Sequence, residues 1–213
     1  MRLTLTTFLT IDGVMQGPGG TEEDRRGDFD LGGWLVPYAD ADMDRFVTEW
    51  FSQADAFLLG RQTYEIFAAH WPNVTDPHDV VAAKLNDLPK YVVSNTLDHA
   101  DWNNSTIVSG DLRSSVEELK RQSGQELQIH GSGLLARSLH DLRLIDEYRL
   151  WIFPVVLGTG QRLFGDGSIP SAFELIDTKV TSTGAVVHSF RSCGAPSFGS
   201  FAIDDGVQTP ARH

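Results

Sequence analysis

The stretch LQIHGSGLLARSL, residues 127–139, decides how the fold of this chain is interpreted. It passes from an apolar run through Gly131, Ser132 and Gly133 into a stretch with helical periodicity, which predicts a strand, a tight turn and a helix. Together with Ala136, the two glycines also match the dinucleotide fingerprint G-x-G-x-x-G/A. Three interpretations follow: a Rossmann domain, another kind of nucleotide site, or only a strand that meets a helix.

The position of the motif argues against a Rossmann domain. In that fold the glycine turn follows the first strand, and an acidic residue ends the next strand. Here the motif lies late in the chain, and Asp146 and Glu147 precede the next apolar run instead of ending it. What remains is a tight strand-to-helix turn, or a helix start whose exposed amides suit a pyrophosphate.

The composition describes an ordinary globular protein. The 213 residues are 41% hydrophobic and carry a formal net charge of -12, which disfavours nucleic acid as a partner but not a small anionic cofactor. The single cysteine, Cys193, excludes an intrachain disulfide and favours a cytoplasmic location. The opening residues alternate like a strand and not like a signal peptide, and no apolar run is long enough for a membrane span. The histidines lack metal-ligand spacing, so no metal is expected.

Extended and helical patterns alternate along the chain, which predicts an α/β domain with a largely parallel sheet. The predicted strands are residues 3–9, 56–59, 90–94, 127–129, 148–156 and 186–190, and the predicted helices are residues 42–54, 61–69, 114–123 and 134–139. Residues 173–190 contain two extended runs around a Ser-Thr-Gly turn, which predicts an antiparallel hairpin. Residues 193–213 are predicted to be a flexible tail. The glycine-rich residues 13–33 are either a surface loop or a lid over a ligand.

Two further strand ends carry chemistry that suits phosphate. LLGRQTYEIF, residues 58–67, places Gly60, Arg61 and Thr63 where a predicted strand becomes a helix, and offers a guanidinium and a hydroxyl. The other strand end, in KYVVSNTL, consists of Ser94, Asn95 and Thr96. Because ligands of open α/β sheets bind beyond the carboxyl ends of the strands, three such ends together predict a dinucleotide site.

In chain order, LLGRQTYE, LPKYVVSNTL, IHGSGLLARSL and DEYRLWIFPVVLGTGQRLF resemble the dihydrofolate reductase-like superfamily, and more specifically the RibD C-terminal family of bifunctional deaminase-reductases. Only the reductase part is matched, because the zinc-ligand signature of the deaminase is absent. The resemblance implies a three-layer α/β fold over residues 1–192, with a mostly parallel central sheet and a C-terminal antiparallel hairpin. It also implies a homodimer and NADPH as the cofactor.

By this resemblance, NADPH contacts the same three strand ends. The residues are Gly60, Arg61, Gln62 and Thr63, then Ser94, Asn95 and Thr96, and then His130, Gly131, Ser132, Gly133, Leu134 and Leu135. Arg61 is expected to contact the 2′-phosphate, since a guanidinium distinguishes a phosphate from a hydroxyl. The resemblance therefore implies a preference for NADPH over NADH.

Asp44 is the candidate catalytic acid. It lies at the edge of an apolar helical stripe that includes Phe51, where a carboxyl group can orient or protonate a heterocycle. Its spacing from Gly60 also resembles that of the acidic substrate residue of dihydrofolate reductases. The alternative is a solvated aspartate that the helix dipole favours. By resemblance, Thr10 and Asp12 lie near the substrate together with Phe51, although TIDGV is also a plain Asp-Gly turn.

The sequence therefore predicts an NADPH-dependent oxidoreductase that reduces a small pterin- or pyrimidine-like heterocycle by hydride transfer. The alternative is an NADP(H)-binding module without turnover, such as a sensor or an accessory protein. Dihydrofolate reductases carry an arginine before the strand that ends at Ser94, whereas this chain has Lys90 and no arginine there. Folate is therefore disfavoured, and the ribityl-pyrimidine of riboflavin biosynthesis is compatible without being singled out.

Overall fold

A computed structural model describes residues 1–204 and 207–212 of the chain. The strands are β1 (Arg2–Thr10), β2 (Ala54–Gly60), β3 (Lys90–Val93), β4 (Ser105–Val108), β5 (Glu126–His130), β6 (Glu147–Phe153), β7 (Phe173–Val180), β8 (Val186–Ser192), β9 (Gly199–Asp204) and β10 (Val207–Arg212). The helices are α1 (Ala41–Ser52), α2 (Arg61–His70), α3 (Val80–Asp87), α4 (Leu112–Arg121) and α5 (Gly133–Asp141). Short 3₁₀ helices cover Arg26–Asp28, Val36–Tyr38 and Trp71–Asn73.

Eight strands form one sheet in the order β4-β3-β2-β5-β1-β6-β8-β7. The pairs from β4 across to β6 are parallel, whereas β8 is antiparallel to β6 and to β7. The predicted fold class, a mostly parallel sheet that ends in an antiparallel hairpin, is therefore confirmed. Because β3, β2 and β5 are parallel neighbours, the three strand ends that the sequence singles out lie side by side where the carboxyl ends of these strands meet.

Each face of the sheet carries its own apolar core, which produces three layers. On one face, Leu3 and Leu5 of β1 pack with residues of α4 and α5, including Leu139. On the other face, Trp50 of α1 packs against Trp151 of β6. Burying side chains of this size stabilises the fold by about 1.5–3 kcal/mol each. Side chains alternate between the two faces along a strand, so every second residue of β1 points towards α1. The ligand-sized cleft of the domain opens on that side of the sheet.

The helices differ in how they begin. An aspartate caps three of them with its side chain: Asp40 accepts a hydrogen bond from the third residue of α1, and Asp79 and Asp111 do the same for α3 and α4. In contrast, α2 follows Gly60 and α5 follows Ser132, and neither has a side-chain cap. The first N–H groups of α2 and α5 therefore have no partner within their helices.

Residues 13–33 pack onto the body of the domain. Gln16 is buried, and its backbone carbonyl accepts a hydrogen bond from Trp34 Nε1 at 2.8 Å. Its side-chain oxygen accepts another from Gln161 N at 3.0 Å. Phe29, in the second half of the loop, is also buried and belongs to the apolar core on the α1 side of the sheet. Residues 15–19 of this loop also line the cleft, and its assignment as a surface loop or as a lid stays a prediction.

Other differences from the predicted elements are local. The structure adds α3 and β4, which the sequence did not predict, and ends β6 at Phe153 because Pro154 cannot donate to a strand ladder. Within residues 193–213, β9 and β10 pair as an antiparallel hairpin. The division into a domain of residues 1–192 and a flexible tail stays a prediction.

Candidate active site

Two adjoining cavities open beyond the carboxyl ends of β2 and β5. The large cavity has a volume of about 720 Å³ and the small cavity about 560 Å³. Both are lined by Arg26, Gln62, Thr63, Ser132, Gly133 and Gln161. These shared walls make the two cavities one continuous cleft. Its position agrees with the general rule that open α/β sheets bind ligands at this edge.

The small cavity lies between the starts of α2 and α5. Its walls include the residue before each helix and the first three residues of that helix, namely Gly60, Arg61, Gln62 and Thr63 at α2, and Ser132, Gly133, Leu134 and Leu135 at α5. These are the two helices without side-chain caps, so their free N–H groups and the positive ends of their dipoles converge on one space. Such a convergence suits a group with several anionic oxygens.

Backbone geometry and two hydroxyl groups hold the turns in place. Gly131 and Ser132 both have positive φ, at 58° and 52°, and a side chain is strained at the first of these positions. At Gly133, an added Cβ atom would come within 2.9 Å of Met15 Sδ. Thr63 Oγ1 accepts a hydrogen bond from Ser132 N, and Ser132 Oγ accepts one from Gly60 N, both at 3.1 Å. The start of each helix is therefore hydrogen-bonded to the other.

Arg61 connects the third predicted segment to the cleft. Its Nη1 donates to Thr96 Oγ1 at 2.9 Å, and its Nε pairs with Glu65 at 2.7 Å on the exposed side of α2. Asn95 accepts a hydrogen bond from Gly110 N, while Ser94 accepts bonds from the backbone of its own turn. Residues 94–96 thus lie beside Arg61 but are not among the walls of either cavity.

Asp44 lines the large cavity, together with the apolar residues Met43, Val47 and Phe51 of α1. It lies in the first turn of that helix and is exposed. Its carboxylate has no hydrogen bond or ion pair with any residue that the structure describes. An unpaired carboxylate at the edge of an apolar cavity is available to a ligand.

Phe51 and His130 form the inner end of the large cavity. Their rings stack with centroids 4.2 Å apart and planes inclined by 22°. Both side chains are buried, and both line the large cavity but not the small one. Burial, with a smaller contribution from the positive charge of Arg149, lowers the pKa of His130 to about 3. The imidazole is therefore neutral at physiological pH.

Beneath this end of the cavity is a group of buried polar side chains, called here the polar layer. It consists of Glu126, Gln128 and His130 of β5 and Glu147 and Arg149 of β6. Arg149 holds Glu126 with both nitrogens of its fork, at 2.6 and 3.1 Å, and Gln128 donates to Glu126 Oε2 at 2.7 Å. The sequence did not predict the layer, because polar residues that alternate with apolar ones in a strand usually face water.

The neutral state of His130 predicts that stability depends on pH. An unfolded histidine has a pKa near 6.5, so between about pH 6.5 and 3 the unfolded chain binds one more proton at this residue and folding weakens as the pH falls. At pH 5 this linkage costs about 2 kcal/mol. We expect a His130→Asn variant to lose about 2 kcal/mol less than the wild type between pH 7.5 and pH 5, measured by urea unfolding. Equal losses in both proteins would contradict the prediction.

Thr10 and Asp12 lie away from the cleft walls. Asp12 accepts hydrogen bonds from Thr10 Oγ1 at 2.6 Å and from Leu157 N and Gly158 N at 3.2 and 2.9 Å. The bond from Thr10 and the backbone donors lower the pKa of Asp12 to about 2. In the structure the two residues join the end of β1 to residues 157–162, and their predicted contact with a substrate gains no support from this position.

Two other features bear on function. Among residues 1–204 and 207–212, no group of three or more His, Cys, Asp and Glu side chains is placed to hold a metal ion. In the same part of the chain, no helix is both long and apolar enough to cross a membrane.

Comparison with known proteins identifies the family of the chain. The family model of the RibD C-terminal domain matches residues 2–189. The chain belongs to this family. Among curated relatives, the uncharacterized protein YyaP of Bacillus subtilis is 28% identical over 187 residues, which cover 87% of this chain and 92% of YyaP. A second uncharacterized protein of the same organism, YwjB, is 24% identical over 159 residues, covering 75% of this chain and 86% of YwjB.

Solved structures of this RibD C-terminal domain protein's neighbours show the same fold. A candidate riboflavin biosynthesis protein from Shewanella sp. PV-4 superposes with a TM-score of 0.69 at 22% identity, covering 90% of this chain and 99% of the other. The Enterococcus faecalis dihydrofolate reductase, solved with NADP(H), gives a TM-score of 0.57 at 13% identity, covering 90% and 96%. The predicted dihydrofolate reductase-like fold is thus confirmed. At these identities the neighbours establish the fold alone.

Proposed function

We propose that this protein is an NADPH-dependent reductase of a small pterin- or pyrimidine-like heterocycle. The observation that carries the proposal is the pair of uncapped helix starts, hydrogen-bonded to each other through Thr63 and Ser132, that face one cleft. Membership of the RibD C-terminal family supports the same reaction class. Neighbours with the same fold include a deaminase/reductase of Thermotoga maritima, TM-score 0.59 at 16% identity, and the NADP(H)-bound dihydrofolate reductase.

The small cavity fits the phosphates of a dinucleotide. Three N–H groups at each helix start, from residues 61–63 and 133–135, lack partners within their helices. Arg26 and Arg61 bring two guanidinium groups to the walls, where Arg26 pairs with Asp24 and Arg61 with Glu65. We therefore assign the pyrophosphate to the two helix starts and the 2′-phosphate to Arg61, next to Thr96.

The large cavity fits a flat apolar ring with polar edges. Its apolar walls include Phe8, Val47 and Phe51, against which such a ring would lose contact with water, and Asp44 lies exposed at its border. When bound, NADPH supplies the hydride. The chain itself holds the substrate ring against the walls and supplies a proton to it. We assign the donation of that proton to the carboxyl group of Asp44.

The direct test measures NADPH binding first and NADPH oxidation second. Binding is followed by fluorescence titration, and oxidation by absorbance against a panel of pterins, ribityl-pyrimidine precursors of flavins, and quinones. Oxidation with a pterin or pyrimidine supports the proposal. Binding without oxidation of any compound favours the alternative, a module without turnover, and absence of binding overturns the cofactor assignment.

Arg61→Ala is expected to weaken NADPH binding by about 1.5–3 kcal/mol and to change NADH binding far less, because the guanidinium would pair with the 2′-phosphate that only NADPH carries. The measurement is a pair of titrations with the two cofactors. Arg113→Ala is the matched control, since Arg113 also forms an i,i+4 pair, with Glu117, but lies outside both cavities. Equal losses for NADPH and NADH would contradict the role of Arg61.

Two further properties stay predictions from the family resemblance and the composition, namely the homodimer and the cytoplasmic location. Sedimentation of the purified chain at two concentrations tests the first. The edge strand β7 offers apolar surface to a second copy of the chain, because three of its apolar side chains are exposed, namely Leu175, Ile176 and Val180.

A further inference from the structure

We propose that His130 determines which substrates bind, because its ring is locked with the proton on Nε2 and offers Nδ1 as a hydrogen-bond acceptor to an N–H group of the substrate. The proposal deepens the function proposed above and rests on it. In that function the helix starts hold a cofactor in the small cavity. This inference concerns the large cavity, which His130 lines without reaching the small one.

The polar layer fixes the proton on the imidazole. Both N–H bonds of the Gln128 amide are used, one to Trp50 O and one to Glu126 Oε2, each at 2.7 Å. The amide oxygen of Gln128 therefore faces His130 Nε2, 3.0 Å away, and it can only accept. A neutral imidazole that donates from Nε2 has its lone pair on Nδ1.

The ion pairs of the layer prevent this amide from turning over. If Gln128 flipped, its amide oxygen would face the Glu126 carboxylate and the carbonyl oxygen of Trp50, and both contacts would be repulsive. Glu126 in turn stays ionised, because Arg149 and Arg2 pair with it and hold its pKa below the usual value in spite of burial. The ion pair thus fixes the orientation of the Gln128 amide, and the amide fixes which nitrogen of the His130 ring at the cavity carries the proton.

The other nitrogen of His130 has no partner. Nδ1 makes no hydrogen bond to any residue within the described parts of the chain. The ring cannot rotate to find one, because it stacks on Phe51 at 4.2 Å and its Nε2 is held by Gln128. Thr6, its register partner on β1, also lines the cavity, and its buried hydroxyl is likewise unpartnered. A buried polar group without a partner is costly, so the Thr6 hydroxyl beside the unpaired Nδ1 of His130 indicates that a polar ligand binds at this end of the cavity.

The expected specificity follows from this chemistry. A ring edge with an N–H, as in an amino- or oxo-pyrimidine, pairs with Nδ1, whereas a ring edge with only acceptors repels it. A charged imidazole would donate from both nitrogens and reverse this preference. Because the site leaves an acceptor unpaired when the N–H is missing, it discriminates against such analogues.

The decisive experiment compares two substitutions at this position. His130→Phe keeps an aromatic ring against Phe51 and loses the acceptor, while His130→Asn keeps an acceptor close to the place of Nδ1. With the panel compound that supports the fastest NADPH oxidation, we expect kcat/KM to fall about tenfold or more in His130→Phe, mainly through KM, and to return to within about threefold in His130→Asn. Because His130 lies outside the small cavity, the affinity for NADPH should change less than KM for the substrate in both variants.

A methylated substrate provides the cross-check. Methylation of the ring N–H of the same compound should lower kcat/KM in the wild type by a factor similar to that of His130→Phe, and should cause little further loss in that variant. Independent losses, or equal kcat/KM for His130→Phe and the wild type, overturn the inference.

A spectroscopic readout separates this inference from the proposed function. In protein with ¹⁵N-labelled histidine at neutral pH and without ligands, the His130 ring should show the tautomer protonated on Nε2, and Gln128→Leu should remove that preference. A ring protonated on Nδ1 overturns the inference whatever the activity. Failure of the wild type to bind or oxidise NADPH overturns the proposed function, and is seen before any variant is made.

Discussion

Replacing Arg149 with methionine is expected to lower the free energy of unfolding by about 3–5 kcal/mol. The side chain is 3% exposed and binds Glu126, which is 1% exposed, through both branches of its guanidinium. It also pairs with Glu147 and lies over the ring of Trp50. Without Arg149, a carboxylate remains in the interior with only Arg2, half exposed, to compensate it. An uncompensated buried charge is one of the few single changes that cost this much.

Urea unfolding at pH 7.5 measures the effect. Arg191→Met is the matched control, since Arg191 lies on the adjacent strand β8 in an exposed pair with Glu174, for which less than about 1 kcal/mol is expected. Adding Glu126→Gln to Arg149→Met should recover part of the loss, because the unpaired charge is then removed. If Arg149→Met changed the free energy of unfolding by less than 1 kcal/mol, the polar layer would not be a major contributor to the stability of the sheet.

The polar layer also shows where prediction from the sequence stops. The apolar residues Leu127 and Ile129 identified β5 as a buried strand, and they do lie in the core. The alternate residues, Glu126, Gln128 and His130, are as buried as their neighbours. Nothing local says so, because polar residues at alternate positions usually face water. Their partner Arg149 lies on β6, and only the order of the strands brings it within reach.

The elements that the sequence predicted are those with a local signal. The glycine turns before α2 and α5 predicted both helices, whereas α3 and β4 were missed. β4 has four residues at the edge of the sheet, and α3 has eight residues whose apolar side chains are divided between the core and the surface. Such short elements owe their structure to packing more than to their own pattern.

The sequence likewise predicted some parts of the candidate site and not others. Three strand ends were predicted to lie together, and the order β3-β2-β5 makes them neighbours. The two glycine turns face one cleft, whereas residues 94–96 connect to it through the hydrogen bonds that Arg61 donates to Thr96. The position of Asp12 depends on residues 157–162, which are distant in the chain, so its motif could not reveal that it packs against that loop. The role of each residue in binding stays a prediction.

Asp44→Asn is expected to reduce kcat by about 10²–10⁴-fold and to leave NADPH affinity within about twofold of the wild type. The amide keeps the size and the hydrogen-bonding reach of the carboxylate but cannot give or take a proton. Asp44 is exposed at the border of the large cavity and has no partner in the described chain, so its removal breaks no structural contact. The loss should therefore appear in turnover and not in the free energy of unfolding.

Asp42→Asn is the matched control, because it lies in the same first turn of α1 but outside the cavity walls. Its carboxylate pairs with Arg45 at 2.7 Å and accepts a hydrogen bond from Ser182 N at 3.1 Å. Both aspartates experience the same helix dipole, so a contribution of the dipole alone would affect the two variants alike. A fall in kcat for Asp44→Asn alone assigns the proton to that carboxyl group. Unchanged turnover in both variants would reduce Asp44 to a helix-terminal charge and move the proton to a water molecule or to the substrate itself.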